Sequence, residues 1–251
     1  MNFPAQFHIG ETTLSLHAIA ETLAFFIGFR YFLYLRKKQG DHYPSSSRIW
    51  IIIGAIFGAL IGSRLVGSLE RPYELGLTDN LLAYVYSNKT VVGGFLGGLA
   101  GVELTKKLMG EHRSSGDLFV FPMILALIIG RIGCFSMGVY EETYGIESNL
   151  PWGMNLGDDR LRHPVTIYEI VFLLLLWVIL RELQQRFPLG NGALFKLFMI
   201  SYLFFRLLLD FIKPHYPVVL SLSTIQLACL AGLFYYLPFL LQPKKLIAGY
   251  A

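Results

Sequence analysis

Charge is scarce in this chain. Only 15% of its 251 residues are Asp, Glu, Lys or Arg, where a soluble domain carries about 25%. With 54% hydrophobic residues and a mean hydropathy of +0.53, this excludes an ordinary soluble enzyme and leaves no room for a separate soluble domain. Cysteine is nearly absent. Cys134 and Cys229 both lie inside apolar runs, so no disulfide framework is expected. Low-complexity tracts and evident internal repeats are also missing, which removes linker and solenoid readings. The first 16 residues hold neither a positive n-region nor a small-residue cleavage site, and a cleaved signal peptide is not expected. The net charge of +4 calls for no nucleic-acid partner, because a surplus of Lys and Arg on cytoplasmic loops is normal for a polytopic membrane protein.

Long apolar runs are what the chain has instead. A helix needs about 20 mostly apolar residues to cross hydrocarbon, and seven segments qualify, at about 15–35, 49–69, 91–109, 118–137, 164–181, 192–212 and 219–241. The expected fold is therefore an all-α integral membrane protein, a single polytopic domain over residues 1–251 with seven transmembrane helices. Arg36, Lys37, Lys38, Arg48, Lys106, Lys107, Arg113, Arg181, Arg186, Lys244 and Lys245 flank one side, against Arg71, Lys89, Arg160, Arg162 and Lys213 on the other. The richer side is cytoplasmic. That puts the N-terminus outside and the C-terminus in the cytoplasm.

Three of the arginines inside these runs stand out: Arg64 in IGSRLVG, Arg131 in GRIGCF and Arg206 in FFRLLLDF. An arginine in hydrocarbon costs about 2.5–3.5 kcal/mol even on the mildest scales, so it is rarely kept without a partner or a task. At 1.5 Å per residue, Arg64 lies roughly 22–24 Å from the cytoplasmic start of its helix, and Arg131 and Arg206 roughly 20–22 Å. Glu21, Glu169, Asp210, the start of VVGGFLGG and His163-Pro164 fall at a similar level from their own outer ends. An anion handled in the outer half of the bilayer explains the coincidence, because arginine forks grip phosphate bidentately. A plainer reading has Glu21, Glu169 and Asp210 neutralising the arginines, with Arg206 and Asp210 four apart on one helix.

Other residues carry weaker signals. His163 opens HPVTIYE and is a candidate general base, or simply a residue at a helix start. His17 sits near the outer interface. Cys134 beside Arg131 is a candidate nucleophile, or a small buried hydrophobe. Glu103, with Lys106 and Lys107 three and four residues on, reads as a local ion pair. Nothing in the sequence calls for a metal or a cofactor.

Together these segments resemble the bacterial prolipoprotein diacylglyceryl transferases over nearly the whole chain. SLHAIAETLAFFIGF resembles the family's first helix, IGSRLVG its glycine–arginine element, VVGGFLGG its histidine–glycine–glycine segment and GRIGCFSMG its signature. PWGM, HPVTIYE, FFRLLLDFIKP and LSLSTIQ follow in the expected order. The resemblance implies transfer of diacylglyceryl from phosphatidylglycerol to the lipobox cysteine of a preprolipoprotein at the outer leaflet of the cytoplasmic membrane, releasing glycerol phosphate. Carried over by motif, Arg131 and Arg206 contact the headgroup or leaving phosphate, with Arg64 in support. Gly133 and Gly138 shape a loop, Glu169 and Asp210 orient arginines, and Gln226 and Glu21 complete the lipid site.

The chain departs from the family at telling places. The histidine before Gly-Gly, the family's usual candidate for activating the thiol, is Val92 here, and the signature asparagine is Cys134. Glu141 or Glu142 fills the acidic position near Gly138 through an insertion ending at Gly145. Another base, His163, Glu21 or Glu142, then serves, or the acceptor differs from a lipobox cysteine. A non-catalytic phospholipid-binding or transport protein is the reading from a different class.

Overall fold

A computed structural model of the chain describes residues 3–10, 12–214 and 216–247. A hairpin of β1 (Gln6–Ile9) and β2 (Thr12–Ser15) leads into α1 (Leu16–Gln39) and α2 (Ser45–Ser68). Two short helices follow, α3 (Pro72–Leu75) and α4 (Leu81–Ser87), then α5 (Val91–Leu108) and α6 (Val120–Met137). A loop carrying the hairpin of β3 (Met154–Asn155) and β4 (Leu161–Arg162) precedes α7 (Val165–Arg186), α8 (Ala193–Leu209), α9 (Thr224–Tyr235) and α10 (Leu237–Leu241).

A helix stands in each of the seven expected segments, and the chain is mostly helical. Among the described residues, three helical stretches are long and apolar enough to cross a membrane: α1, α2 and the run Asp117–Tyr140 that contains α6. The last segment is shorter than its hydropathy suggested. Leu220 and Ser221 take positive φ in a turn closed between Val219 and Leu222, so α9 starts only at Thr224. Its end comes at Tyr236, and α10 starts at once with Pro238 in its first turn.

Glycine spacing decides how α2 and α5 meet. Gly54, Gly58 and Gly62 face Gly101, Gly97 and Gly93 in antiparallel register. A Cβ on Gly58 would sit 2.3 Å from the Gly97 carbonyl oxygen, and one on Gly97 2.2 Å from that of Gly58. No side chain fits there, so the two backbones touch, the arrangement small residues at four-residue spacing permit in lipid. α8 occupies the centre, with Phe198, Met199, Tyr202 and Leu203 fully buried.

Polar locks hold the end of the bundle away from Arg131 and Arg206. Arg48, 2% exposed, pairs with Asp41 in the α1–α2 turn, donates to the Ser115 carbonyl at 2.9 Å and lies over the Phe119 ring. Burial alone would raise the Asp41 carboxyl; Arg48, the Tyr43 N–H and Arg36 outweigh it and hold that group below its ordinary value. Asp117, just before α6, accepts the backbone N–H groups of Gly192 at 2.6 Å and Phe195 at 2.9 Å, capping α8 from another helix. Glu103 pairs with Lys106 at 2.9 Å, as its spacing suggests.

Candidate active site

Glu169 lies in the first turns of α7, 2% exposed, between Arg131 of α6 (8%) and Arg206 of α8 (6%). One carboxylate oxygen takes Arg131 Nε at 2.9 Å and Arg206 Nη1 at 3.4 Å; the other accepts the Tyr202 hydroxyl at 2.7 Å. Two buried guanidiniums thus share one carboxylate, leaving the trio with an excess positive charge. Asp210 does not close that gap by pairing with Arg206 in the i,i+4 manner. It takes a short hydrogen bond from the Ser223 hydroxyl, because the capping box at the start of α9 brings Ser223 against it. In that box the Ser223 N–H donates to Gln226 Oε1 at 2.9 Å, while the Gln226 N–H donates back to Ser223 Oγ at 3.1 Å.

Two buried donors in this cluster have no hydrogen-bond partner among the described residues: Arg206 Nε and Gln226 Nε2. A buried donor left unmet costs about 1–3 kcal/mol. Such donors beside an excess of positive charge make a ready seat for an oxyanion. Lys213, buried just after α8, adds to the field. Burial, then Arg206, push its ammonium down to about 8, against the pull of Asp210 and Glu70. Burial in turn raises the Glu70 carboxyl, with Lys213 as its strongest opposing charge.

The other expected residues fall elsewhere. Arg64 is only half-buried; it donates to the Tyr86 carbonyl and stacks over that ring, 4.7 Å from its centroid. Glu21 faces Lys89 at 3.0 Å and His17 at 3.7 Å rather than an arginine. Exposed Glu142 pairs with Arg71, and His163 Nδ1 lies 3.2 Å from the Tyr168 hydroxyl. Gly133 shapes no loop. It lies within α6, and a Cβ there would come 2.8 Å from that of Ala20, so it sets the α1–α6 approach. Gly138 does turn the chain, at φ +58°, with the Leu156 carbonyl where a Cβ would be. Cys134 is buried, its sulfur 3.6 Å from Arg131 Nη1. Val92 is fully buried in the apolar core.

Tyr202, Ser223, Lys213 and Glu70 escaped the sequence reading. Tyr202 had a signal, standing four residues before Arg206 on one helix face. Ser223 with Gln226 had the capping-box spacing. The long-range approach of Lys213 and Glu70 had none.

A family model described as prolipoprotein diacylglyceryl transferase matches residues 4–241. The chain belongs to that family. Among similar proteins, the phosphatidylglycerol–prolipoprotein diacylglyceryl transferase of Idiomarina loihiensis is 31% identical over 231 residues, covering 84% of this chain and 80% of that protein. The protein of the same name from Cupriavidus metallidurans is 29% identical over 228 residues, covering 84% and 80%. That from Methylobacillus flagellatus is 30% identical over 230 residues, covering 84% and 83%. Family membership and the apolar helices together make this a multi-pass membrane protein.

Proposed function

We propose that this chain transfers the diacylglyceryl group of phosphatidylglycerol to the thiol of a preprolipoprotein lipobox cysteine, at the outer leaflet of the cytoplasmic membrane. In this reading α1, α2, α5, α6, α7, α8 and α9 cross the bilayer, with the N-terminus outside and the C-terminus in the cytoplasm. The single observation that carries it is the buried trio of Arg131, Glu169 and Arg206 with its surplus positive charge and its open donor at Arg206 Nε.

The chemistry asks for such a site. A C–S bond forms between the acceptor sulfur and the terminal glyceryl carbon as the C–O bond to phosphate breaks, and the electron pair leaves with glycerol phosphate. Charge grows on the phosphate oxygens. Fixed donors aimed there, in a place closed to water, lower the barrier. Arg206 and Arg131 take that role, and Glu169 with Tyr202 orients them. Gln226 Nε2 is the second open donor, held by Ser223 and Asp210. Arg64 and Glu21 lie outside this trio, on Tyr86 and on Lys89 and His17. Membrane lipid supplies the donor, and no nucleic acid takes part.

The test is incubation of the purified protein with labelled phosphatidylglycerol and a lipobox peptide. Label on the peptide, lost in Arg131→Ala and Arg206→Ala variants that still insert, supports the reading. Binding without turnover would return the protein to the lipid carriers.

A further inference from the structure

Three residues from two distant parts of the chain meet beside Arg131. His17 opens α1, Cys134 lies near the end of α6, and Glu141 follows in the loop. The His17 ring nitrogen, the Cys134 sulfur and a Glu141 carboxylate oxygen all lie within 4.8 Å of one another. His17 Nδ1 and Glu141 Oε2 are 3.2 Å apart, yet both atoms are buried and neither makes a hydrogen bond among the described residues. We propose that these three residues bind a zinc ion with its fourth position open, and that the acceptor thiol takes this position as the thiolate that attacks the lipid.

Imidazole, thiolate and carboxylate are the zinc donor types. At bond lengths of about 2.0–2.3 Å, tetrahedral ligand atoms stand roughly 3.3–3.6 Å apart, so the set closes on an ion by about 1 Å of side-chain movement. Three protein ligands with one open place is the arrangement of reactive rather than structural zinc. The surroundings agree. The other His17 nitrogen faces Glu21 Oε2 at 3.7 Å, the carboxylate that orients a ligating histidine from behind. Arg131 Nη1 points at the sulfur from 3.6 Å, as a donor to a bound thiolate does. Charge also balances, because a divalent ion with one thiolate and one carboxylate is neutral and does not repel the arginine pair.

The inference rests on the proposed function for its substrate and resolves a difficulty there. An attacking thiol must lose its proton, and Val92 offers no base. A thiol bound to zinc is deprotonated by the ion: it displaces water from the open position, its proton leaves with solvent, and the C–S bond forms while the C–O bond to phosphate breaks. Cys134 is then a ligand rather than the nucleophile.

The test uses the full chain in detergent, stripped of metal and reloaded with cobalt(II) as a spectroscopic stand-in for zinc. A near-ultraviolet sulfur-to-cobalt band is expected at about one metal per chain. It should vanish in Cys134→Ser, persist in Cys229→Ser and need a higher cobalt concentration in His17→Gln and Glu141→Gln. Zinc affinity should fall about 10- to 100-fold in Glu21→Gln. A lipobox peptide should strengthen the band by adding a second sulfur, and its serine counterpart should not. Absence of the band, its survival in Cys134→Ser, or indifference to the peptide thiol overturns the proposal. Peptide labelling that continues in metal-free protein overturns it too but leaves the proposed function standing. A thiol-responsive band without labelling does the reverse.

Discussion

Replacing Arg206 by lysine keeps the positive charge at the centre of the site and removes the fork. Arg206 uses Nη1 on Glu169 at 3.4 Å and holds Nε free of any hydrogen bond among the described residues. One guanidinium can therefore face the carboxylate and the phosphate at once. A lysine has a single ammonium on a flexible stem, and it must serve one or the other. Glu169 keeps a second cation at Arg131, 2.9 Å away, so the fold tolerates the exchange. The reaction loses one charge-assisted hydrogen bond to the phosphate, about 1.5–3 kcal/mol, which at 1.4 kcal/mol per decade is roughly a 10- to 150-fold fall in turnover. Initial rates of label transfer from phosphatidylglycerol in proteoliposomes measure it, with thermal unfolding run alongside. Turnover within a factor of two of the parent, at unchanged stability, would refute Nε as a phosphate donor and reduce Arg206 to a structural counter-ion.

Glu169→Ala strands two buried guanidiniums and should cost about 3–5 kcal/mol of stability, a fall of roughly 6 °C or more in unfolding midpoint. Arg131→Ala leaves Glu169 paired with Arg206, so turnover should drop about 10²- to 10³-fold with a smaller midpoint shift. Gly97→Val drives a side chain into the Gly58 carbonyl and should lower the folded yield in detergent, whereas Gly130→Ala, with open space around the added methyl, should not. Lys213 is cationic below about 8 and neutral above it, so binding of phosphatidylglycerol vesicles should weaken as pH rises through 8; a flat profile, or a decline that survives Lys213→Met, removes Lys213 from the anion field. Val92→His should not raise turnover and should lower stability by about 1–3 kcal/mol, because the imidazole enters a fully buried apolar site; faster peptide labelling would show instead that a base was simply missing.

The helices and the buried arginines were legible because both follow from local cost. An apolar run of the right length has few other uses, and a charge inside it demands a reason. Arg131 and Arg206 stand out as charges inside apolar runs, and a shared depth sets Glu169 beside them. Depth is a single coordinate, however. It placed Arg64 and Glu21 at the same level without showing that they turn to Tyr86, Lys89 and His17. Which neighbour a side chain meets around the bundle depends on helix packing, and here that is set by close approaches such as Gly58 on the Gly97 backbone and Gly133 on the Ala20 methyl. The four-residue glycine spacing on α2 and α5 carries that information; the lone Gly133 does not. The meeting of His17, Cys134 and Glu141 lay beyond reach for the same reason, since it needs α1, α6 and the following loop in their folded positions.

The departures from the family at Val92 and at Cys134 have one explanation if they are taken together. On the family resemblance, Val92 stands where a base is expected, while Cys134 sets a soft ligand three residues from Arg131, where His17 and Glu141 converge. Either change alone would leave a gap: a thiol with nothing to deprotonate it, or a buried sulfur with no task beside a guanidinium. On the two proposals together, thiol activation passes to His17, Cys134 and Glu141, and the arginine pair keeps its role. In the proposed function the demand on that pair comes from the leaving phosphate, which is the same however the sulfur loses its proton. On that reading the arginine pair is the part of the chemistry with the least room to change, and the handling of the proton the part with the most.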